Sequence, residues 1–191
     1  MGDEEGAAAY PTPLDEPLVT ARLVLEPLVV AHARALYPLL CDDRLYTYIP
    51  QEPPTSVDSL AERYRRLELR RSPDGQRVWL NWAARRREGS SYAGVFQATI
   101  EPDGEAFLAY MIFPAQQRQG YAREGGQRVI EHLVGEYKTP LVVAELDTRN
   151  RASIGVVEAL GFVRVAERPA ADFFKGSVSD EYRYEYQPAH L

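Results

Sequence analysis

Between residues 73 and 114, three apolar runs are separated by tight, glycine-bearing turns, and this punctuation constrains the fold more than any other feature of the chain. "QRVWLNWAARR" (76–86) follows Pro73-Asp74-Gly75. Glu88-Gly89-Ser90 divides it from "SYAGVFQATIE", and Pro102-Asp103-Gly104 divides that from "EAFLAYMIFP", which ends at Pro114. Runs of this length rich in aromatic and β-branched residues read as strands. Connections this short join antiparallel neighbours. The sequence therefore predicts a three-stranded meander at the centre of the fold.

The flanking segments read differently. "LVTARLVLEPL" (18–28) alternates in polarity and is expected to be a strand. "VVAHARALYPLL" (29–40) places Val30, Ala33, Leu36, Tyr37 and Leu40 on one helical face. In "SVDSLAERYRRLELRR" (56–71), Ser56 can cap a helix whose stripe is Leu60, Tyr64 and Leu67. After the meander a helix is expected from about residue 120 to 138, with Val129, Ile130, Leu133, Val134 and Tyr137 inward. "PLVVAELDT" (140–148) is nearly all apolar, so a strand buried on both faces is expected. "NRASIGVVEALG" (150–161) is a short helix with Asn150 as N-cap and Gly161 at C′. "FVRVAE" and "DEYRYEYQ" are closing strands. The order β-α-α-β-β-β-α-β-α-β-β implies an α+β fold, a mostly antiparallel sheet flanked by helices. Residues 1–17, with Pro11, Pro13, Pro17 and several acids, are expected to be a flexible arm, and 18–191 a single domain.

Charge and composition exclude several functions. The chain carries 22 basic and 28 acidic residues, a net charge of −6, which argues against nucleic acid as the main partner. No run of eighteen apolar residues is present, so no membrane span is expected. A single cysteine, Cys41, precludes an intrachain disulfide. Together with an acidic N-terminus that lacks a signal-peptide layout, it points to the cytoplasm. Cys41 is expected to be a small buried residue, and His32 and His132 to lie at the surface. His32 has no second ligand at i+4 and His132 has only Glu136 there, so no metal site is expected. "ARRRE" (84–88) is expected to be a solvated turn, and Tyr46, Tyr48, Trp79 and Trp82 to be core or cleft wall.

The chemistry is expected at the polar turn Gln117-Arg118-Gln119-Gly120-Tyr121-Ala122, which joins the last meander strand to the following helix. The first amides of a helix have no intrahelical partner, and the helix dipole makes that end positive. Such a turn suits a pyrophosphate. Gly120 would let a ligand approach the backbone without a Cβ in the way, and Arg118 and Arg123 could add charge-assisted contacts.

This turn resembles the Gln/Arg-x-x-Gly-x-Gly/Ala motif of the GCN5-related N-acetyltransferases, which use acetyl-coenzyme A as co-substrate. "NRASIGVVEALGF" (150–162) is similar to the family's second motif in its Asn-x-x-Ser variant, typical of the branch resembling ribosomal-protein N-terminal acetyltransferases. "TARLVLEPL" near the start and "FFKGSVSDEYRYEY" near the end are also similar to that branch, so the resemblance spans residues 18–187. It implies a V-shaped splay between the strands "AFLAYMIFP" and "PLVVAEL". Pantetheine would pair with backbone near Met111, Ile112 and Phe113, Asn150 would help hold the coenzyme, and an amide near Ile112 would meet the developing oxyanion.

The implied reaction is direct attack of a primary amine on the acetyl carbonyl. The acceptor would be a protein N-terminus or a small amine such as an aminoglycoside or polyamine. Many members carry a tyrosine where this chain has Val157, and here Ser153 is the expected partner of the leaving thiolate. The branch often carries a glutamate where this chain has Phe107. Glu105, Glu145 or a water chain would then serve as base, although both carboxylates can equally be solvated surface charges. Tyr46 to Pro50 is an expected acceptor loop. The resemblance is compatible with a monomer or a homodimer. The alternative is a non-catalytic acyl-coenzyme A binder of the same fold, favoured by the missing tyrosine and glutamate.

Overall fold

The structure, a computed structural model, describes residues 16–188; the expected arm falls almost wholly outside them. It starts with a hairpin of β1 (Leu18–Val19) and β2 (Leu23–Pro27), followed by α1 (Ala33–Leu40) and α2 (Val57–Glu68). The meander is β3 (Val78–Arg86), β4 (Tyr92–Ile100) and β5 (Ala106–Ile112). Then come α3 (Tyr121–Glu136), β6 (Val142–Asp147), α4 (Arg151–Ala159), β7 (Val163–Phe174) and β8 (Ser177–Tyr186). The strands form one sheet in the order β1-β2-β3-β4-β5-β6-β8-β7, with β5 and β6 parallel and every other pair antiparallel. The α+β expectation holds.

Period-two alternation divides the strands between two cores. Leu23, Leu25, Leu80, Trp82, Phe96, Ile100, Leu108 and Ala144 turn to the face covered by α3 and α4. Ala83, Val95 and Phe113 turn to the opposite face, where Leu36, Leu40, Leu60 and Tyr64 of α1 and α2 cover them. Gly125 lets α3 close onto the sheet, because a Cβ there would fall 2.3 Å from the Phe96 ring. The expected caps form. Ser56 accepts from Ser59 N at 3.0 Å and Asn150 from Ser153 N at 3.1 Å, while Gly161 lies at φ +90° just past α4.

Four expectations are corrected. The strand expected over 18–28 is a hairpin, because Thr20 turns the chain: its N–H donates to Leu23 O and its hydroxyl accepts from Leu23 N. The closing strands are longer than their alternation suggests. β7 pairs with β8 through shifts of register around Arg164 and between Arg168 and Asp172, and these shifts scramble the period that a sequence reader would follow. His132 is not at the surface; it is buried, edge-on to Trp82 and Tyr137 at 6.0 and 5.4 Å, and burial lowers its pKa. Cys41 is exposed, because it follows the last residue of α1 rather than facing the core. His32 is half-buried, with Nε2 3.3 Å from Glu26. Among the described residues no helix is long and apolar enough to cross a membrane.

Candidate active site

The polar turn stands at the head of α3, beside the open end of β5. Arg118 and Gly120 both adopt positive φ, +61° and +82°, which turns the chain sharply into the helix. No side chain caps α3, and the first amide to bond back is Glu124 N, to Gly120 O at 3.0 Å. The amides of Gln119, Gly120 and Tyr121 therefore have no acceptor among the described residues. A row of unpaired donors at a helix N-terminus is what an anionic group such as a pyrophosphate requires. Arg118 and Arg123 are exposed on either side, and Ala122 follows in the first turn.

Gln117 and Gln119 shape the turn from within. Gln117 Nε2 donates to Ile112 O (2.9 Å), and Gln119 Nε2 donates to Ala115 O (3.2 Å). From the β1–β2 turn, Thr20 Oγ1 and Arg22 N donate to Glu124 Oε1 at 2.6 and 2.7 Å, and Arg22 Nη1 donates to Gln119 O at 2.9 Å. Burial opposes ionisation of Glu124, but these hydrogen bonds outweigh it and its pKa is lowered. Sequence reasoning missed Arg22 and Glu124, which are over a hundred residues apart.

Next to the turn the sheet opens. β5 and β6 pair only at Ala106↔Val142 and Phe107↔Val143, whereas β4–β5 pairing runs on to Ile112 and β6–β8 pairing to Asp147. The two strands then diverge as a V. Ala106 N donates to Leu141 O across the V, and Phe113 N donates to Ala93 O on the β4 side, both at 2.9 Å. Alternation along a strand therefore turns the backbone groups of Leu108, Tyr110 and Ile112 into the gap and those of Met111 and Phe113 toward β4. Met111 contributes its half-buried side chain to the opposite face, and Phe113 is core.

Across the V lies the first turn of α4. Asn150 is engaged as N-cap. Tyr110 Oη donates to Ser153 O at 3.3 Å and bridges the two arms of the V. Burial pushes the Tyr110 phenol up to about 12, so it stays a proton-bearing donor at neutral pH. The Ser153 hydroxyl has no partner among the described residues and is half-buried, while Val157 is fully buried and brings no polar group. Tyr110 lacked a sequence signal because only the V sets it against α4.

The face of the sheet away from α3 and α4 carries the carboxylates. Val142 and Ala144 lie in the α3–α4 core, so Val143 and Glu145 point the other way. Tyr184 lies in that core too, so Glu181, Arg183 and Glu185 share the Glu145 face. Glu105 meets Arg183 Nη2 at 3.2 Å, Glu185 meets Arg183 Nε at 2.8 Å, and Glu145 meets Arg168 Nη1 at 2.8 Å. The structure thus gathers Glu105 and Glu145 into one ion-paired cluster rather than leaving either isolated.

Sequence reasoning also missed Glu181. Its nearest cation is Arg168 at 3.6 Å, and burial, then the charges of Glu145, Asp172 and Asp147, raise its pKa. Asp147 does the opposite. Arg149 above all, with Ser179, holds its carboxyl down at about 2 and pins the β6–α4 loop.

The expected acceptor loop closes the other side. Tyr46 is buried and donates from its hydroxyl to Leu40 O (2.8 Å), whereas Tyr48 is exposed. Lys175, at the tip of the β7–β8 hairpin, donates to Tyr46 O and, at 3.3 Å each, to Ile49 O and Gln51 O. Beneath this clasp is a cavity of about 240 Å³ lined by Tyr46, Tyr64, Asn81, Gln97, Met111 and others.

A family model described as an acetyltransferase (GNAT) domain matches residues 22–163. No curated protein matches the chain. Solved structures do. RimL, a ribosomal L7/L12 alpha-N-protein acetyltransferase in complex with coenzyme A, is 21% identical with a TM-score of 0.81, over 90% of this chain and 98% of that one. A spermidine N-acetyltransferase from Vibrio cholerae in complex with CoA and spermine is 19% identical with a TM-score of 0.75, over 88% and 96%. A ribosomal-protein-S5-alanine acetyltransferase from Vibrio fischeri is 16% identical with a TM-score of 0.80, over 91% and 97%. At these identities the likeness is one of fold.

Proposed function

The chain belongs to the acetyltransferase (GNAT) family, and from that premise we propose that it moves an acetyl group from acetyl-coenzyme A to the primary amine of a cationic acceptor, a protein N-terminus or a small polyamine. The observation that carries this reading is the uncapped head of α3, whose amides at Gln119, Gly120 and Tyr121 have no acceptor among the described residues, set against the edge of β5 that has no strand partner among them beyond Phe107. Those amides and Arg118 and Arg123 suit the pyrophosphate. The open edge at Leu108, Tyr110 and Ile112 suits the amide-bearing pantetheine arm. The bound thioester supplies an activated acetyl carbonyl.

The chain's own groups supply the rest. The acceptor face carries Glu105, Glu145, Glu181 and Glu185 against Arg168 and Arg183, so it is negative and favours a cationic amine. An amine must be neutral to attack, and an unperturbed lysine-type amine has a pKa near 10.4. Glu181, whose pKa is raised by burial and by neighbouring carboxylates, takes that proton. The Ile112 amide, facing the gap, meets the oxygen that gains charge. The Ser153 hydroxyl, with Tyr110 behind it, stabilises the departing thiolate.

The test is release of free thiol from acetyl-coenzyme A in the presence of polyamines, basic N-terminal peptides and neutral amines. Turnover is expected with the cationic acceptors. A protein that fails to bind coenzyme A would sink this reading, and one that prefers neutral amines would sink its acceptor half.

A further inference from the structure

A second, smaller cavity of about 100 Å³ borders the head of α3 on the β2–β3 side, lined by Ala21, Arg22, Arg86, Arg87, Glu88 and Tyr121. "ARRRE" read as a solvated turn, but the structure sends its arginines to different places. Arg86 pairs in register with Leu23, a residue of the α3 face, so its side chain is directed toward Tyr121. Arg86 Nε is buried and has no hydrogen-bond partner among the described residues. Arg87 Nη1 donates to the carbonyls of Thr20 and Ala21 at 3.2 and 3.1 Å, which satisfies donors without neutralising the charge. Arg22 is held by Glu124 and lies 4.7 Å over the Tyr121 ring. Three guanidinium groups thus converge on a space with one carboxylate in its lining, Glu88, which has no ion pair among the described residues.

A buried guanidinium N–H without an acceptor is costly and calls for one. The pocket also has a fixed relation to the turn. Arg22 Nη1 bonds Gln119 O, and Arg22 Nη2 would lie 3.3 Å from a Cβ at Gly120. A ligand whose pyrophosphate lies on the turn presents its next group here. In coenzyme A that group is a ribose monophosphate, close to dianionic at neutral pH and rich in acceptors.

We propose that the Arg22, Arg86 and Arg87 pocket receives the 3′-phosphate of coenzyme A and selects the coenzyme over its 3′-dephospho form. This rests on the acetyl-coenzyme A reading above. Arg86 supplies the donor that otherwise lacks an acceptor, Arg87 supplies charge, and Arg22 ties the pocket to the pyrophosphate turn.

Calorimetry with coenzyme A and with 3′-dephospho-coenzyme A, on the native chain and on Arg86→Gln and Arg87→Gln, tests it. The native protein should prefer coenzyme A by about ten- to hundredfold, the worth of one or two charge-assisted hydrogen bonds. Arg86→Gln should reduce that preference to within about threefold while leaving affinity for the dephospho form nearly unchanged. Arg87→Gln should reduce it less, and carries the test if thermal melting shows Arg86→Gln to be unfolded. Equal affinity of the native protein for the two ligands overturns the proposal, as does a preference retained in both variants or an equal weakening of both ligands. Failure of the native protein to bind either ligand removes the acetyl-coenzyme A reading itself, and this proposal with it.

Discussion

The head of α3 and the carboxylate face of β6 and β8 lie on either side of the same V, yet they are built by different means. The first is mainly backbone: contiguous residues, two positive φ angles and a helix start that no side chain caps. The second is side chains from β6, β7 and β8 together with Glu105 just before β5, with Glu105 and Arg183 78 residues apart. A backbone site offers fixed donors to a ligand that does not change. A site of side chains can change charge and shape while the sheet stays as it is. Coenzyme affinity should therefore depend on the first region, and acceptor choice and pH response on the second.

Glu181→Gln probes that division most severely. Loss of a general base typically costs 10²- to 10⁴-fold, so turnover should fall by about hundredfold or more while coenzyme A affinity is unchanged. The sign of the pH effect is fixed by the raised pKa of Glu181. The base is the ionised form, so activity should fall as pH drops through that raised value, and the variant should lose this acid limb. If the pH profile of kcat/KM keeps the same limb in the variant, Glu181 is not the base.

Gly120→Val tests the other side. A non-glycine residue at φ +82° is strained by about 1–2 kcal/mol, and the added side chain crowds both Arg22 and the ligand's approach. Affinity for coenzyme A should drop by about ten- to hundredfold with the pH profile unaltered. An unchanged affinity in a folded variant would remove the turn from the site.

Ser153→Ala lies between the two regions. A hydroxyl that donates a hydrogen bond to a leaving thiolate should contribute roughly ten- to hundredfold to turnover and little to binding. An unaltered single-turnover rate at saturating substrates would leave the Tyr110 phenol or water as donor.

Asp147→Asn sharpens the contrast within the acid face, because this carboxylate supports structure rather than catalysis. Its side chain is 1% exposed and its pKa falls from 3.8 to about 2. The shift corresponds to about 2 kcal/mol, to be discounted because Arg149 is half in solvent. That stability is present above about pH 4 and should drain away as pH falls toward 2, whereas the variant's melting temperature should start lower and be flatter across that window. A melting temperature equal to the native value at pH 7 would show that the pinned loop does not depend on this charge.

Much of this was legible in the chain because it is local. The α3 turn, the Asn150 and Ser56 caps, the meander and its glycine turns, and the stripe Val129, Ile130, Leu133 and Tyr137 depend on residues a few positions apart. Polarity period and cap chemistry report such features directly. The β7–β8 hairpin was underestimated because bulges break its alternation, and His132 and Cys41 were misplaced because a helical position says nothing of which neighbour covers it.

The sequence by itself determined the order of elements, the α+β class and the amide-rich turn, since each follows from the conformational preferences of adjacent residues. Only the tertiary structure decided that β5 and β6 part after Phe107 and Val143, that Tyr110 reaches Ser153, that Glu181 joins Glu145 near Arg168, and that a half-buried Arg86 lines one cavity with Arg22. The physical reason is that strand register, not proximity along the chain, sets which side chains share a face. Register is fixed by the packing of the whole sheet between its helices.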